Sequence, residues 1–585
     1  MNSETKICQN CKQNFAIEAD DFAFYEKIKV PPPTFCPQCR LIRRFMFRNE
    51  RTFYRRNCDL CKRSIISSYH QDSPFPVYCQ KCWWSDNWDT LSYEREFDFS
   101  RPFFEQFHEL MKKVPMLSMQ NDNEIGSVNS EYAQDFAFTK NCYLTAAGWF
   151  CDNIMYSYYT CYDKDVADSY MINNSELCYG CFEADRCYGC YGCKYSSQIF
   201  DCRDCVLSYD LKNCSDCTMC VGLRNKHYCI LNQEYPREEY MKKVKEMDLE
   251  NRESVERYKE ELRAMALKYP RRYTFMLQSV DSTGYMVLNS KMSRDVFWVT
   301  NTENSRYLLN IDKAKDCYDC INTGEPNLSY DCVTPDQSYL DLFDVFCWRC
   351  NTVSYSDNCH SSNNLFGCVA LRKSEYAILN KKYSKEDYLV LREKIIEHMK
   401  KTGEWGEFFP KSLSPYAYNE TQAQEWFPLT KDEALKRGYR WREPDEKSYQ
   451  ITMKSDSIPS NFSEINDSIL DEVISCDHAG TCNEKCSTAF RIVPQELQLY
   501  RKLKIPLPKL CPNCRHYQRI AYRNPVKLWK RQCQCAGPKS ENGIYPNTVK
   551  HFHGEGKCPN EFETSYAPDR KEIVYCESCY NAEVV

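Results

Sequence analysis

The sequence lacks the features by which several large classes of protein are recognised. No run of apolar residues approaches the ~18 that a membrane-spanning helix needs, so we expect no membrane partner. The chain contains no P-loop, no dinucleotide-binding fingerprint and no His-Glu-x-x-His motif, and its 9 histidines show no catalytic spacing. We therefore expect no enzymatic activity. The net charge is only −5, so any affinity for nucleic acid must come from local basic patches.

Cysteine, by contrast, is abundant, with 39 in 585 residues. The first residues, MNSETKICQNC, contain no apolar stretch typical of an export signal. We therefore expect reduced, largely metal-bound thiols in the cytoplasm and not disulfides. The 43 tyrosines and the aromatic content of 14% are typical of a folded chain, and the length predicts three or more domains.

One segment occurs twice, near the two ends of the sequence. Residues 11–58 and 486–533 align without a gap at an offset of 475 residues. The residues that recur at their shifted positions are Cys11, Tyr25, Pro31, Pro33, Cys36, Pro37, Cys39, Arg40, Arg44, Arg48, Asn49 and Cys58. This duplication predicts that zinc and a basic helix matter at both ends of the chain.

The N-terminal copy contains four cysteine pairs. Two Cys-x-x-Cys turns close a tetrahedron around Zn²⁺ at roughly 2.3 Å per sulfur. Sequential pairing predicts one Cys₄ site from Cys8, Cys11, Cys36 and Cys39 and a second from Cys58, Cys61, Cys79 and Cys82. Four thiolates leave no open coordination position, so we interpret both zinc ions as structural.

The C-terminal copy predicts a third and a fourth site with altered spacing. The third consists of Cys482, Cys486, Cys511 and Cys514, and Cys476 is left as a spare. The fourth contains Cys558, Cys576 and Cys579 with either Cys533 or Cys535, after an insertion at residues 536–557. His478, His551 and His553 are alternative ligands, although we interpret them as surface residues. About four structural zinc ions are expected in total.

Basic residues follow the second cysteine pair of each copy. Proline after the first thiol suits the first turn of a helix, and a knuckle followed by such a helix resembles the treble-clef family of zinc fingers. The arginines of the predicted helices 40–51 and 515–523 share one face. The candidate phosphate-binding residues are Arg40, Arg43, Arg44, Arg48, Arg51, Arg515, Arg519 and Arg523.

We expect these arginines to bind nucleic acid, structured RNA in particular, without strong base preference. Two alternatives remain open. The arginines pair with acidic residues in the middle of the chain, or they bind a protein partner.

A twelve-residue period runs through residues 142–229. One column contains Cys178, Cys190, Cys202 and Cys214; the other contains Cys181, Cys193, Cys205, Cys217 and Cys229, and continues backwards through Ser169, Ser157 and Thr145. The first column is preceded by Asp201, Asn213 and, where its cysteine is missing, Asn225. A short fixed period with small residues predicts a β-solenoid. Asn and Asp suit left-handed corners and can stack their side chains from coil to coil.

Two interpretations of these cysteine columns remain open. The thiols are small apolar filler in a narrow interior, which we favour. Alternatively, neighbouring coils pool them to bind further zinc or an iron–sulfur cluster. Disulfides between coils are not expected, because stacked coils space the sulfur atoms too widely.

A second duplication marks the end of each repeat region. Residues 220–240 match residues 368–388, and each copy leads into a charged helix, predicted at 237–268 and 385–402. The chain is thus predicted to be multidomain and mainly β. Its parts are a double zinc module (1–92), a helical linker (93–127), a β-solenoid (128–236), a charged helix (237–269), a degenerate second solenoid (270–372), a turn and helix (373–404), a Pro- and aromatic-rich connector (405–474) and a second double zinc module (475–585).

The whole pattern resembles a family of Cys-rich zinc-ribbon, treble-clef-like proteins from uncultured small-genome bacteria. The resemblance is carried by FYEKIKVPPPTFCPQCRLIRRFMFRNERTFYRRNC at 24–58, YCQKCWWSDNWD at 78–89, the Cys-x-x-Cys array and PLPKLCPNCRHYQR at 506–519. It implies no activity. The favoured hypothesis is a non-enzymatic protein that binds nucleic acid through basic zinc modules held by a rigid solenoid. An adaptor that binds proteins through the solenoid is the second hypothesis, and a metal or thiol-redox store is the third.

Overall fold

The computed structural model describes residues 2–184, 190–443, 445 and 449–584, which form two compact units. The first unit contains residues 1–119, 274–443 and 526–528, and the second contains residues 120–273, 444–525 and 529–585. Each unit combines one terminal module with one repeat array. We call residues 4–119 and 474–584 the N-terminal and C-terminal modules, and residues 133–234 and 276–382 the first and second arrays. The units are therefore discontinuous in sequence, unlike the consecutive parts that the sequence predicted.

The first unit holds the N-terminal module and the second array. The module has strands Glu4–Ile7, Asn14–Ile17, Tyr54–Asn57, Ser64–Ser67, Val77–Tyr78 and Met116–Leu117, helices Ala19–Lys27, Pro37–Phe45, Gln80–Trp83 and Phe103–Met111, and the 3₁₀ turn Thr90–Tyr93. The array has strands Met276–Leu277, Gly284–Leu288, Val296–Thr300, Leu309–Asp312, Tyr318–Gly324, Tyr330–Val333, Asn351–Ser354, Asn363–Phe366, Glu375–Ile378 and Lys381–Lys382. Helices Lys385–Thr402, Gln422–Trp426 and Lys431–Lys436 and the 3₁₀ turns Lys411–Leu413 and Tyr418–Glu420 follow.

The second unit holds the first array and the C-terminal module. The array has strands Ala133–Ala137, Thr145–Trp149, Asp152–Met155, Tyr158–Cys161, Lys164–Ala167, Tyr170–Asn173, Glu176–Tyr179, Phe182–Ala184, Ser197–Phe200, Tyr209–Lys212, Ser215–Thr218, His227–Ile230 and Gln233–Glu234. Helices Arg237–Glu246 and Arg252–Ala266, strand Arg271–Arg272 and the 3₁₀ turns Ser455–Ser457, Phe462–Glu464 and Asp467–Asp471 follow. The module has strands Ile474–Ser475, Ala489–Phe490, Trp529–Gln532, Glu561–Thr564 and Val574–Tyr575 and helices Pro494–Leu503, Pro512–Ile520 and Glu577–Val584.

Both arrays are built on a three-residue backbone repeat, which underlies the twelve-residue period. In the described parts of residues 135–231 and 286–379, the left-handed conformation recurs at intervals of three residues. The second array is therefore as regular as the first, although we expected a degenerate one. Asn213 and Asn225 adopt the predicted left-handed conformation, with φ of 53° and 55°. The predicted stacking of their side chains is also confirmed, because Asn213 Nδ2 donates to Asn225 Oδ1 at 3.1 Å.

Strands in the arrays pair mostly in parallel, each with a segment twelve residues away. Tyr158 pairs with Tyr170, for example. One turn of the first array is longer by three residues: Phe182 pairs with Ser197 and Tyr179 with Lys194. Part of this turn, residues 185–189, lies outside the described residues.

The longer turn shows that the two predicted cysteine columns are wrong where they cross it. Cys178 lies level with Cys193 and not with Cys190, whereas Cys181 lies level with Ser196. Beyond this turn the twelve-residue spacing resumes, and Cys193 continues the column that begins at Cys142.

In both arrays the residue that follows a left-handed position is buried in most cases, and Lys226, near the end of the first array, is an exposed exception. Most of these residues in the first array are small or of medium size, including Ser157, Ile199, Cys202, Cys205 and Leu211, each 0% exposed. Cysteine, serine and threonine recur at these buried positions because their small side chains fit a closely packed interior.

The helices that follow the arrays differ in length. Lys385–Thr402 agrees with the predicted helix 385–402; it begins after Ser384, which accepts a hydrogen bond from Asp387 N, and ends at Gly403 with φ of 76°. The predicted helix 237–268 is instead two helices, because Asn251 caps a new one. Among the described residues, none of the helices combines the length and the apolar character needed to cross a membrane.

Candidate metal centres

The N-terminal module brings its cysteines together in the two groups given by sequential pairing. In each group the four sulfur atoms lie within 4.8 Å of one another. The Sγ atoms of Cys11 and Cys36 are 3.7 Å apart, and those of Cys61 and Cys79 are 3.9 Å apart. A tetrahedral ion with bonds of about 2.3 Å to sulfur separates its ligands by about 3.8 Å, so both groups can hold a metal ion.

Local structure positions these thiols. In the first group, one pair lies in the turn between strands Glu4–Ile7 and Asn14–Ile17, and Cys36 caps helix Pro37–Phe45, with Pro37 in the first turn as predicted. The backbone N–H of Cys36 donates to Cys8 Sγ at 3.3 Å. Burial alone would raise the pKa of Cys8, but the N–H groups of Cys36, Cys11 and Asn10 outweigh it and lower that pKa to about 6. These donors favour the thiolate that a metal ion requires.

The third group differs from the one expected. Cys476, Cys486, Cys511 and Cys514 form it, and Cys482 Sγ also lies 3.6 Å from Cys514 Sγ. The structure therefore does not support our interpretation of Cys476 as a spare, because its Sγ accepts the N–H of Cys511 at 3.2 Å. Cys8 accepts the equivalent bond in the first group. A short strand, Ile474–Ser475, precedes Cys476, as strand Glu4–Ile7 precedes Cys8.

The fourth group contains Cys533, Cys558, Cys576 and Cys579. Cys533 Sγ accepts the N–H of Cys576 at 3.2 Å, so it occupies the place of Cys8 in this group. Cys535 is also fully buried, and it belongs to a neighbouring group with His551, His553 and Cys579. His551 is only 4% exposed, so the interpretation of this histidine as a surface residue is wrong.

The array cysteines have a different environment, and no disulfide joins any cysteines of the described residues. Their Sγ atoms lie within hydrogen-bonding distance of backbone carbonyls: Cys205 Sγ, for example, is 3.5 Å from Arg203 O and 3.6 Å from Cys214 O. Cys178, Cys181, Cys193, Cys202, Cys214 and Cys217 make similar contacts. In the second array, burial raises the pKa of Cys317 and Cys359 to about 12. Carbonyl acceptors favour the protonated thiol over the thiolate, which supports the filler interpretation.

The arginines of the first predicted basic helix are buried within the chain. Arg40 and Arg44 are each 1% exposed. Arg40 Nε and Nη2 lie 2.9 and 2.8 Å from Asp319 Oδ2, and Arg44 Nη2 lies 3.0 Å from Asp319 Oδ1. Arg44 also pairs with Asp331. Burial alone would lower the pKa of Arg40, but the charge of Asp319 reverses this effect and raises it well above its usual value.

The other arginines of this segment are also paired. Arg43 lies 3.3 Å from Asp331 Oδ2 and 2.9 Å from Glu407 Oε2, Arg48 pairs with Glu50, and Arg51 Nε lies 3.9 Å from Glu425 Oε1. Their carboxylate partners come from the array, from the residues that follow it and from the module itself.

The C-terminal helix repeats this arrangement. Arg515 Nη1 lies 3.3 Å from both Glu496 Oε1 and Asp168 Oδ2, and Arg519 Nη1 lies 2.6 Å from Asp168 Oδ1. Arg523 donates to the hydroxyl of Tyr170 at 2.8 Å. The structure therefore does not support nucleic-acid binding by the eight predicted arginines. The arginines instead pair largely with acidic residues of the chain, which is one of the two alternatives left open by the sequence.

Equivalent residues make these contacts in both units. The modules correspond at an offset of 475 residues, and this part of the arrays corresponds at an offset of 151. The guanidinium carbons of Arg40 and Arg515 lie 5.1 and 4.7 Å from the ring centroids of the equivalent Tyr307 and Tyr156. The equivalent pairs Tyr25–Tyr330 and Tyr500–Tyr179 both have ring centroids 5.5 Å apart. The duplicated module segment thus includes a duplicated docking surface for an array.

Comparison with known proteins identifies no relative from which a fold or a function can be inferred. No family model matches the chain, and no curated protein matches it. A similar solved structure, provisionally described as an acetyltransferase from Desulfovibrio desulfuricans G20, covers 45% of this chain and 70% of its own, with 9% identity and a TM-score of 0.09. A TM-score this low indicates neither a shared fold nor a shared activity.

Proposed function

We propose that this protein is a non-enzymatic, zinc-binding scaffold. In this proposal its arrays form β-solenoids, its zinc modules clamp them, and the assembled surface binds other proteins. The observation that carries the proposal is the burial of Arg40 and Arg44 against Asp319 and Asp331. Guanidinium groups that already hold carboxylates in a buried interface are not available to the phosphates of a nucleic acid.

Zinc is the proposed metal because of the ligand chemistry. Each of the four main groups offers four thiols at tetrahedral spacing, and soft thiolates select Zn²⁺ over Mg²⁺ and Ca²⁺. Four protein ligands leave no position for a substrate, which supports structural ions. In this role each ion fixes a turn that contains two cysteines against the start of a helix. In the first and third groups, the arginines of that helix contact the array.

The solenoid proposal rests on register and backbone conformation. Parallel pairing at an offset of twelve residues, with a left-handed residue at every third position, is the pattern expected of narrow stacked coils. The buried thiols of these coils make a redox store a poor alternative, because a thiol that exchanges with partners must be accessible.

An exposed aromatic stack supports protein binding by the first array. The rings of Phe138, Phe150 and Tyr162 stack in series, with centroids 5.2 and 5.1 Å apart and interplanar angles of 8° and 10°. Their exposed fractions are 52%, 50% and 61%. A row of large exposed rings is typical of interaction surfaces and not of passive solvent-facing walls.

The test compares RNA binding and folding in the full chain. The variant combines Arg40→Glu, Arg44→Glu and Arg48→Glu, and Arg55→Glu is the matched control because Arg55 is exposed on the same module. We expect the wild-type chain to show no salt-dependent RNA binding between about 50 and 200 mM salt. The triple variant should lose hydrogen-exchange protection in helix Pro37–Phe45, and the control should not. Tight, salt-dependent RNA binding that the triple variant loses while it stays folded would overturn the proposal.

A further inference from the structure

We propose that the C-terminal module binds a second zinc ion beside its Cys₄ site, so that the two ions share the thiolate of Cys579. Two groups of potential ligands meet there. One is Cys533, Cys558, Cys576 and Cys579, and the other is Cys535, His551, His553 and Cys579. In each group the four ligand atoms lie within 4.8 Å of one another. This inference goes beyond the proposed function, which needs only the four Cys₄ sites.

His553 presents a free lone pair to the shared sulfur. Its Nδ1 lies 2.9 Å from the carbonyl oxygen of Gly556 and can only donate to it. The proton therefore resides on Nδ1, and Nε2 is left as an acceptor. That Nε2 lies 3.4 Å from Cys579 Sγ, a separation that a metal ion between the two atoms would bridge.

His551 is oriented by a carboxylate on its far side. Its Nε2 lies 2.9 Å from Glu583 Oε1, and its buried Nδ1 has no hydrogen-bond partner among the residues that the structure describes. Glu583 is fixed in turn by the N–H of Thr548 at 2.9 Å and the hydroxyl of Tyr545 at 3.0 Å. A histidine that donates one N–H to a carboxylate and leaves its other nitrogen bare is the usual arrangement around protein-bound zinc. A buried bare nitrogen without a metal ion would cost free energy.

Cys535 completes the set. It is 0% exposed, and its Sγ accepts from Asn547 Nδ2 at 3.2 Å. The sequence offered Cys533 or Cys535 as the missing ligand of one ion, and the geometry points to one ion for each. A single Cys₄ ion would use Cys533, Cys558, Cys576 and Cys579 and leave Cys535 and the two imidazoles beside it without a metal ion. A second zinc ion would take up these three groups together with the shared thiolate of Cys579.

Both coordination spheres would be closed, so the second ion is structural. Its ligands come from the end of strand Trp529–Gln532, from the insertion at residues 536–557 and from helix Glu577–Val584. The ion therefore fastens the insertion, which the N-terminal module lacks, to the last helix.

The test counts zinc ions in the intact chain by native mass spectrometry. We expect five ions in the wild-type chain and four in the double variant His551→Ala, His553→Ala. His227→Ala is the matched control, because His227 is exposed on the first array, and it should retain five. Co²⁺ substitution gives an independent readout: the double variant should lose only the absorption of a site with mixed nitrogen and sulfur ligands.

A variant that retains all four ligands keeps the proposal testable if the double variant does not fold. Glu583→Gln retains all ligands but loosens His551, so competition with a chelator should show one ion bound about 10–100-fold more weakly and four unchanged. Four ions in the wild-type chain, or a Glu583→Gln chain that releases its zinc like the wild type, would overturn the shared site and leave the proposed function intact. Fewer than four ions would contradict the proposed function itself.

Discussion

Replacing Asp319 by asparagine should loosen the N-terminal module from the second array. The Asp319 side chain is 0% exposed and accepts hydrogen bonds from both Arg40 and Arg44. Breaking a buried pair by removing one partner typically costs about 3–5 kcal/mol, because the remaining charge is left uncompensated. Here Arg44 keeps Asp331 but Arg40 loses its carboxylate partner, so we expect a loss near the middle of that range.

Asp316 provides the matched control in the same array. It pairs with Lys27 of the same module at 3.0 Å, but the two side chains are 21% and 52% exposed. An exposed pair contributes about 0–1 kcal/mol, so Asp316→Asn should have a small effect. The two variants remove the same charge from neighbouring positions, one buried between two arginines and the other exposed beside one lysine.

Hydrogen exchange of the full chain in increasing denaturant measures the opening free energy of each segment. The amides of helix Pro37–Phe45 and strand Tyr318–Gly324 should open together, and at lower denaturant in Asp319→Asn than in Asp316→Asn. In a chain that also carries Arg40→Met and Arg44→Met, Asp319→Asn should cost much less, because no guanidinium is then stranded. Equal effects of the two asparagine variants would refute the reasoning that these arginines clamp the module to the array.

Three further predictions follow from buried groups. Burial raises the pKa of Asp341 to about 7, above its unfolded value of about 3.9, so the stability of the first unit should fall as the pH rises between these values and level off above them. Asp341→Asn should reduce that dependence in denaturant unfolding measured from pH 5 to 8, and part of it should remain because burial raises the pKa of Asp357 to about 7 as well. Cys202→Ser should leave the zinc content unchanged and cost less than about 1.5 kcal/mol, because serine already occupies equivalent inward positions; loss of an ion would favour a metal site in the array. Cys476→Ser should remove one zinc ion by elemental analysis whereas Cys482→Ser should not, and the reverse result would restore the ligand set read from the sequence.

The cysteine groups of the N-terminal module could be predicted because their determinants are local. A Cys-x-x-Cys turn and a helix that begins at the second pair fix the ligand geometry within a few residues. The fate of the arginines could not be predicted in this way. Arg40 and Asp319 are separated by 279 residues, and a basic helix face has the same pattern whether it meets phosphate or buried carboxylate.

The register of the cysteine columns could not be predicted for a different reason. Cys178 and Cys181 are three residues apart, which is also the step of the backbone repeat. With three extra residues in one turn, Cys178 still meets another thiol, that of Cys193, so the spacing of the cysteines does not reveal the change of register. The observed pairings of Tyr179 with Lys194 and of Phe182 with Ser197 distinguish the two registers.

The discontinuous make-up of the first unit has a consequence for the chain during its synthesis. A ribosome adds ~5–20 residues per second, so Asp319 emerges roughly 15–55 s after Arg40. All eight cysteines of the N-terminal module precede Arg95, so both of its cysteine groups are complete before this interval is over. The nascent chain therefore passes through a state in which the arginines that the finished protein buries have been synthesised and their partner Asp319 has not. In that interval they are open to any acidic partner, chaperone or ribosomal RNA, until the second array arrives to cover them.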